Sequence, residues 1–222
     1  PNIKSVEDLR GKIVGISTLG SLTDVILREG LRLNGLSDRD VTILPAGDLS
    51  ARLSGLRTGR IHAAVVAGVQ TLAATKLGFK QLIDFSKLPT EISSSSIMAR
   101  RAYFAKNLDT TLRFLRAWIE GIYLFKSNPE FSLGVLKRYV GTQDSEVLDS
   151  IYARYREKLL ARPLPSMSVV KSMHYLLTRT NPETREANLE SFIETRFIHE
   201  LESSGFFDQM ERQYPAPTRA RP

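Results

Sequence analysis

The stretch KIVGISTLGSLTDVILREGLRL, residues 12–33, decides the fold. It begins with a short apolar run that is typical of a buried strand. A loop rich in glycine and hydroxyl side chains follows. Ser21, with Asp24 three residues later, then has the spacing of a capping box at the start of a helix. The stretch therefore predicts a strand, a polar loop and a helix that ends at Asn34 and Gly35.

The same alternation continues as far as residue 85. Further short apolar runs occupy residues 41–45, 61–66 and 81–85. Between them, one helical pattern begins at Asp48 or Ser50 and ends before Gly59, and another covers residues 69–77. Strands that alternate with helices at this spacing predict a parallel sheet with right-handed crossovers and helices on both faces.

The pattern changes after Pro89, where helical spacing dominates. Residues 92–99 are predicted to be an extended segment that ends in a strand. A long helix is then predicted from Asn107 or Asp109, with Trp118 in its apolar stripe, so we expect Trp118 to be buried against a sheet or a partner chain. Later helices are predicted at residues 129–140, 145–160, 168–178 and 189–203.

Composition excludes several classes of site. The chain has 222 residues, a net charge of +7 and no cysteine, so disulfides, thiolate metal sites and cysteine nucleophiles are excluded. Its three histidines are scattered, and neither a metal nor a cofactor is predicted. The basic residues are interleaved with acidic ones rather than gathered in a stripe, which argues against a nucleic-acid partner.

Three longer segments resemble a known family. They are IKSVEDLRGKIVGISTLGSLTD (3–24), FAKNLDTTLRFLRAWIEGIYLFKSNPEFSLGVLKRYVG (104–141) and FIHELESSGFFD (197–208). Together they resemble the solute-binding proteins of ABC importers in the nitrate, sulfonate and taurine group, the NMT1-like branch of type II periplasmic binding proteins. Two positions depart from the family's pattern: His62 replaces a commonly acidic residue, and residues 67–69 replace a Ser-Pro or Pro-Pro pair.

The resemblance implies an α/β fold of the type II periplasmic-binding-protein class, with one parallel α/β lobe followed by a mainly helical remainder of the other lobe. It implies that residues 1–90 form the second lobe and residues 91–212 the C-terminal helical part of the first lobe. The composition of residues 213–222 predicts a flexible tail. On the basis of the resemblance the central strands of the first lobe lie outside the sequence. The helices would then expose apolar faces, which we expect a homo-oligomer, an exchange of elements between copies or a rearranged packing to cover.

The candidate site follows from strand order. Ligands of open parallel sheets lie outside the carboxyl ends of the strands, and a helix N-terminus there favours an anion. The candidate ligand-binding residues come from the loops after the first three strands: Ser17, Thr18, Leu19, Gly20, Ser21, Thr23, Gly47, Asp48, Ala67, Gly68 and Val69. We expect the backbone N–H groups of residues 19–22 and nearby hydroxyls to hold the anionic group. The alternative, that Ser21 only caps the helix and Gly20 only turns the chain, stays open.

The function implied by the resemblance is capture of a small anionic or polar solute, of the nitrate, sulfonate, taurine, carboxylate or pyrimidine class. Its implied partner is the membrane permease of an ABC importer, and its implied location is periplasmic, or extracellular with a membrane anchor. An enzyme of the thiamine-pyrimidine or menaquinone-pathway type and the effector domain of a transcription regulator are the alternatives. The sequence has no pattern of catalytic residues, and His62 lies within a predicted strand, so we expect no enzyme.

Overall fold

The computed structural model describes residues 3–66, 69–87, 92, 96–179 and 181–215. The chain divides into two compact units. One contains Pro1–Ser94 and Ser168–Leu189, and the other contains Ser95–Met167 and Glu190–Pro222. The assignment of residues 1–90 and 91–212 to two lobes stays a prediction.

The first unit contains a three-stranded parallel sheet. Its strands are β1 (Ile13–Ile16), β2 (Thr42–Pro45) and β3 (Ala63–Ala64), in the order β2-β1-β3. Gly15 of β1 lies opposite Leu44 of β2 and Ala64 of β3, so all three strands point the same way. The predicted parallel sheet is confirmed.

The helices of this sheet begin and end near the predicted residues. They are α1 (Leu22–Leu33), α2 (Leu49–Arg57) and α3 (Val69–Lys76). Asp48 caps α2, because its Oδ1 accepts the N–H of Ala51 at 2.9 Å. Gly35, just after α1, has φ of 73°, a conformation that glycine adopts without steric cost.

The predicted fourth strand at residues 81–85 is wrong. Residues 81–84 have no regular structure, and a short 3-10 helix occupies Phe85–Lys87. Leu82, Ile83 and Phe85 instead pack against the core that α1 and β1 form. The apolar composition that predicted a strand therefore serves side-chain burial without a hydrogen-bonded ladder.

The rest of the chain is helical, as predicted. The helices are α4 (Arg101–Lys106), α5 (Leu108–Ser127), α6 (Pro129–Val140), α7 (Ser145–Lys158), α8 (Met167–Thr178), α9 (Arg196–Ser203) and α10 (Phe206–Gln213). Asn128 caps α6 by accepting the N–H of Phe131 at 3.0 Å, and Gly141 ends α6 with φ of 71°. Almost all of α8 belongs to the first unit.

Three predictions for this region are wrong. Residues 96–99, the described end of the predicted strand, have no strand structure. The last predicted helix begins later, at Arg196, because a 3-10 helix at Leu189–Phe192 precedes it. The sequence prediction also stopped at Gly205, whereas α10 follows directly and buries Phe206, Phe207 and Met210. Gln213 ends α10, and residues 216–222 of the predicted tail lie outside the described part.

Trp118 is 37% exposed within the chain, so its predicted burial against the chain's own sheet is wrong. The core of the second unit instead gathers Leu115 and Ile119, which neighbour Trp118 on α5, with Phe197 and Leu201 of α9 and Phe207 of α10. The apolar stripe of α5 is wider than the area these two short helices cover. Burial of Trp118 by a partner chain stays a prediction.

Candidate functional site

The loops that follow β1 and β2 meet at the carboxyl edge of the sheet. The N–H of Ala46 donates to the carbonyl of Ile16 at 2.8 Å, and the N–H of Gly47 donates to the carbonyl of Ser17 at 3.2 Å. The first bond continues the parallel ladder one residue beyond β2, and the second joins the two loops directly. The structure therefore brings two of the three predicted loops together.

Three side chains of the first loop form a hydroxyl triangle. The Oγ of Ser17 donates to that of Ser21 at 2.9 Å, and Thr23 Oγ1 lies 2.8 Å from both. Thr23 Oγ1 also accepts the N–H of Ser17 at 2.9 Å, and Ser21 Oγ donates to the carbonyl of Thr18 at 2.7 Å. The triangle gives the loop a fixed shape with three polar oxygens at one point.

The predicted capping box forms only in part. Ser21 is the N-cap residue of α1, but its hydroxyl accepts no helix N–H because it is bound to Thr18 and to the triangle. Asp24, only 3% exposed, reaches back one residue further than predicted and accepts the N–H of Gly20 at 2.8 Å. Its other oxygen accepts Nε of Arg28 at 2.8 Å.

Several backbone donors of this loop have no acceptor. Among the described residues, the N–H groups of Thr18, Leu19, Leu22 and Thr23 make no hydrogen bond. Of the four N–H groups predicted to hold an anion, Gly20 donates to Asp24, and Ser21 donates to the Thr18 carbonyl at 3.3 Å. Unpaired N–H groups at the start of a helix attract negative charge.

The loop is also open to solvent. Gly20 has φ of 72°, and a Cβ atom added there would meet nothing within 4 Å. Leu19 beside it is 61% exposed. A ligand can therefore approach the backbone closely at this position.

The other two loops contribute less. Asp48 uses one carboxylate oxygen to cap α2, while Gly47 joins the first loop through its N–H. Ala67 and Gly68 lie outside the described residues, and Val69 is the first residue of α3. The structure thus collects Ser17–Thr23 and Gly47 at one edge.

Arg52 is the residue of this edge that sequence reasoning missed. It lies on the buried side of α2, is 5% exposed, and has no hydrogen-bond partner for Nε or Nη1 among the described residues. Burial lowers the pKa of the guanidinium, and the charge of Asp48 opposes that shift. The available signal was its spacing: Asp48, Arg52 and Gly55 share one helix face, and the small Gly55 brings that face close to the sheet.

His62 has a structural role. Its ring Nδ1 accepts the backbone N–H of Ile13 at 3.1 Å, while the backbone N–H of His62 donates to the Ile13 carbonyl at 2.8 Å. In the described ranges, no group of three or more histidine, aspartate or glutamate residues is placed to hold a metal ion. No helix in those ranges combines the length and the apolar character that crossing a membrane requires.

The parallel sheet, with a polar loop at its carboxyl edge, has a counterpart among known families. The family profile described as NMT1/THI5 like matches residues 1–132, more than half of the sequence. The chain therefore belongs to this family. No curated protein sequence matches it significantly.

Solved structures show the same fold. The periplasmic aliphatic sulphonate binding protein SsuA from Escherichia coli superimposes with a TM-score of 0.66 at 23% identity, over 87% of this chain and 62% of its own. The alkanesulfonate-binding protein SsuA from Xanthomonas axonopodis pv. citri, bound to MOPS, has a TM-score of 0.64 at 20% identity, over 82% and 62%. The periplasmic sulfonate-binding protein SsuA from Methylobacillus flagellatus has a TM-score of 0.61 at 12% identity, over 99% and 67%.

The chain thus spans less than two thirds of the first two structures. Its fold is that of type II periplasmic binding proteins, as predicted.

Proposed function

We propose that this protein is the ligand-binding component of an ABC importer and captures a small anionic or polar solute. The observation that carries the proposal is the loop after β1, where unpaired N–H groups and the hydroxyl triangle lie together at the start of α1. The unpaired N–H groups can replace the water around an anion, and the triangle holds the loop that presents them.

The family and the structural neighbours support a binding role rather than a catalytic one. The three neighbours are described as sulfonate-binding proteins, and those from Escherichia coli and Methylobacillus flagellatus as periplasmic. We therefore propose a periplasmic location, or an extracellular one with a membrane anchor, and the permease of an importer as partner. No nucleic-acid partner is part of the proposal.

The proposed site includes all three loops. Ser17 to Thr23 provide donors, Gly47 and Asp48 border them, and Ala67, Gly68 and Val69 stay a proposal from the sequence. The solute belongs to the nitrate, sulfonate, taurine, carboxylate or pyrimidine class. MOPS, the ligand of the Xanthomonas neighbour, is itself a sulfonate.

Calorimetric titration of the whole gene product, in a buffer free of sulfonates, tests the proposal. The probes are ethanesulfonate, taurine, nitrate, acetate and a hydroxymethylpyrimidine. We expect at least one to bind, and Gly20→Val to weaken its binding about tenfold or more, because a branched side chain blocks the approach to the loop backbone. Ser17→Ala should weaken binding less, since one hydroxyl of three is lost.

Gly35→Val is the matched control. Gly35 has φ of 73° and open space around it, as Gly20 does, but it lies at the other end of α1. Both valine variants incur the same backbone strain, so only Gly20→Val should alter affinity. If no probe binds the wild type, the proposed function is contradicted. If the folded Gly20→Val and Ser17→Ala variants bind as the wild type does, the site lies elsewhere.

A further inference from the structure

Arg52 is a buried cation without a described partner. Its Nε and Nη1 atoms make no hydrogen bond, although 95% of the residue's surface is covered (5% exposed). A guanidinium keeps its charge in proteins, so it cannot escape this situation by losing a proton. The charge of Asp48, on the same helix face, acts on this guanidinium without hydrogen-bonding to it. Buried N–H groups that make no hydrogen bond are strongly unfavourable, and proteins retain them mainly where something compensates them.

The stem of the Arg52 side chain lies beside the last residues of β1. Arg52 Cγ lies 3.7 Å from the position of a Cβ atom added at Gly15, the second-last residue of β1. Helical side chains lean towards the N-terminus of their helix. Because α2 begins just after β2, its N-terminus lies at the carboxyl edge, beside Gly47 and Ser17.

The packing between β1 and α2 leaves room for the stem of Arg52. Gly15 and Gly55 have no side chain, and the space between the strand and α2 is filled by Ile61, whose Cδ1 lies 2.6 Å and 3.2 Å from added Cβ positions at the two glycines. The apolar stem of Arg52 completes this layer. The stem of Arg52 is thereby held beside Gly15, and the free loop donors lie at the carboxyl edge where β1 ends.

We propose that Arg52 is the charge-recognition residue of the solute site, and that the solute is an ionised oxyanion rather than a neutral molecule. This inference rests on the function proposed above. The loop N–H groups provide hydrogen bonds from one side, the hydroxyl triangle keeps the loop in shape, and the guanidinium provides the compensating charge. Arginine suits this role because its planar fork of N–H groups matches the oxygens of sulfonate, nitrate and carboxylate groups.

The test uses the whole gene product and the tightest-binding anion among ethanesulfonate, nitrate and acetate. Arg52→Gln removes the charge but keeps a polar side chain of moderate length. We expect it to weaken anion binding about tenfold to hundredfold, the loss typical of a hydrogen bond to a charged group. The anion affinity of Arg52→Lys should lie between those of the wild type and Arg52→Gln. Arg57→Gln, at the exposed end of the same helix, is the matched control and should bind as the wild type does.

Stability without ligand gives a second readout. Because Arg52 makes no described hydrogen bond, Arg52→Met should melt at or above the wild-type temperature in the absence of anion. A clearly lower melting temperature would assign Arg52 a structural role and overturn the inference.

Failure of the inference and failure of the proposed function give different results. If the wild type binds an anion and Arg52→Gln binds it equally well, Arg52 does not recognise charge although the binding function stands. If the wild type binds only the hydroxymethylpyrimidine, the solute is neutral and the inference is again overturned. If no probe binds the wild type, the proposed function fails as well.

Discussion

Asp24 stabilises the start of α1 by connecting the loop to the helix. One carboxylate oxygen accepts the N–H of Gly20 and the other accepts Nε of Arg28, both at 2.8 Å. Asp24→Ala leaves a loop N–H without its acceptor and removes one partner of a half-buried arginine. We predict a loss of about 1–3 kcal/mol in the free energy of unfolding, measured by urea denaturation.

Asp38→Ala is the control for this prediction. Asp38 pairs with the same arginine, but its side chain is about half exposed, so the change should cost no more than about 1 kcal/mol. Equal losses in the two variants would show that the bond from Asp24 to the loop contributes nothing beyond the ion pair.

Single residues were the hardest feature to predict from sequence. The position of the polar loop followed from its glycines and hydroxyls, but the roles of Ser21 and Asp24 did not. The spacing of a capping box does not reveal that the Ser21 hydroxyl has nearer partners in Thr18 and Thr23. Arg52 was missed because an arginine in a helix is usually solvated, and only the three-dimensional packing shows that this one is covered.

Glycines within helices have opposite roles in the two units. A Cβ atom at Gly30 of α1 would lie 2.7 Å from the ring of Phe85, whereas one at Gly121 of α5 would meet nothing within 4 Å. We predict that Gly30→Ala destabilises the protein by about 1–3 kcal/mol, because the partly buried ring of Phe85 must move. Gly121→Ala should stabilise it by about 0.5–1 kcal/mol through helix propensity.

Denaturant unfolding monitored by circular dichroism measures both changes. Gly134→Ala in α6, where the added Cβ also has open space, serves as a repeat of the favourable case. A stabilising Gly30→Ala would contradict the packing of residues 81–85 against α1.

A turn before β2 should respond to acid. The hydroxyl and the backbone N–H of Ser37 donate to Asp40 at 2.8 and 2.7 Å and lower the pKa of its carboxyl group, and Arg10 also pairs with it. A lowered pKa in the folded state stabilises the protein above the unfolded value of about 3.9. This stabilisation is lost as the pH falls through the folded value.

Asp40→Asn should therefore lose less stability than the wild type between neutral pH and about pH 3. Urea unfolding at a series of pH values measures this difference. Asp149→Asn, an exposed change of equal charge on α7, is the control and should follow the wild type. Parallel pH profiles for Asp40→Asn and the wild type would contradict the prediction.

At the level of elements, the spacing of apolar residues and the capping residues at helix ends predicted most of the fold. Helices with clear caps, such as α2 at Asp48 and α6 at Asn128, began where the sequence indicated. The errors fall on short apolar segments. Residues 81–85 read as a strand because burial and ladder pairing favour the same side chains, and α10 was missed because Gly205 resembled a final stop.

The second unit exposes aromatic side chains on two helices. Phe114 and Trp118 lie one turn apart on α5, and Phe131 and Tyr139 lie two turns apart on α6, with Tyr139 81% exposed. Apolar surfaces of this kind are typical of association sites. We predict that copies of the protein associate through α5, so that sedimentation velocity shows a larger species as concentration rises.

Phe114→Glu should suppress this association, because it places a charge on the exposed aromatic face of α5. Phe192→Glu is the matched control, because Phe192 is also exposed but lies outside α5 and α6. A monomer at every concentration, from micromolar to near-millimolar, would contradict the prediction of a homo-oligomer.

The course of the chain has a consequence for dissection of the protein. The first unit is completed by Ser168–Leu189, so the polypeptide passes from one unit to the other three times. A fragment that ends at residue 94 therefore lacks α8, whose buried Leu176 lines a cavity together with Val25 and Leu36 of the same unit. We expect that fragment to gain protease resistance when a peptide of residues 168–189 is added in trans. In a protein organised in this way, a single cut in the chain does not separate the two units, and an isolated first unit must be rebuilt from two pieces.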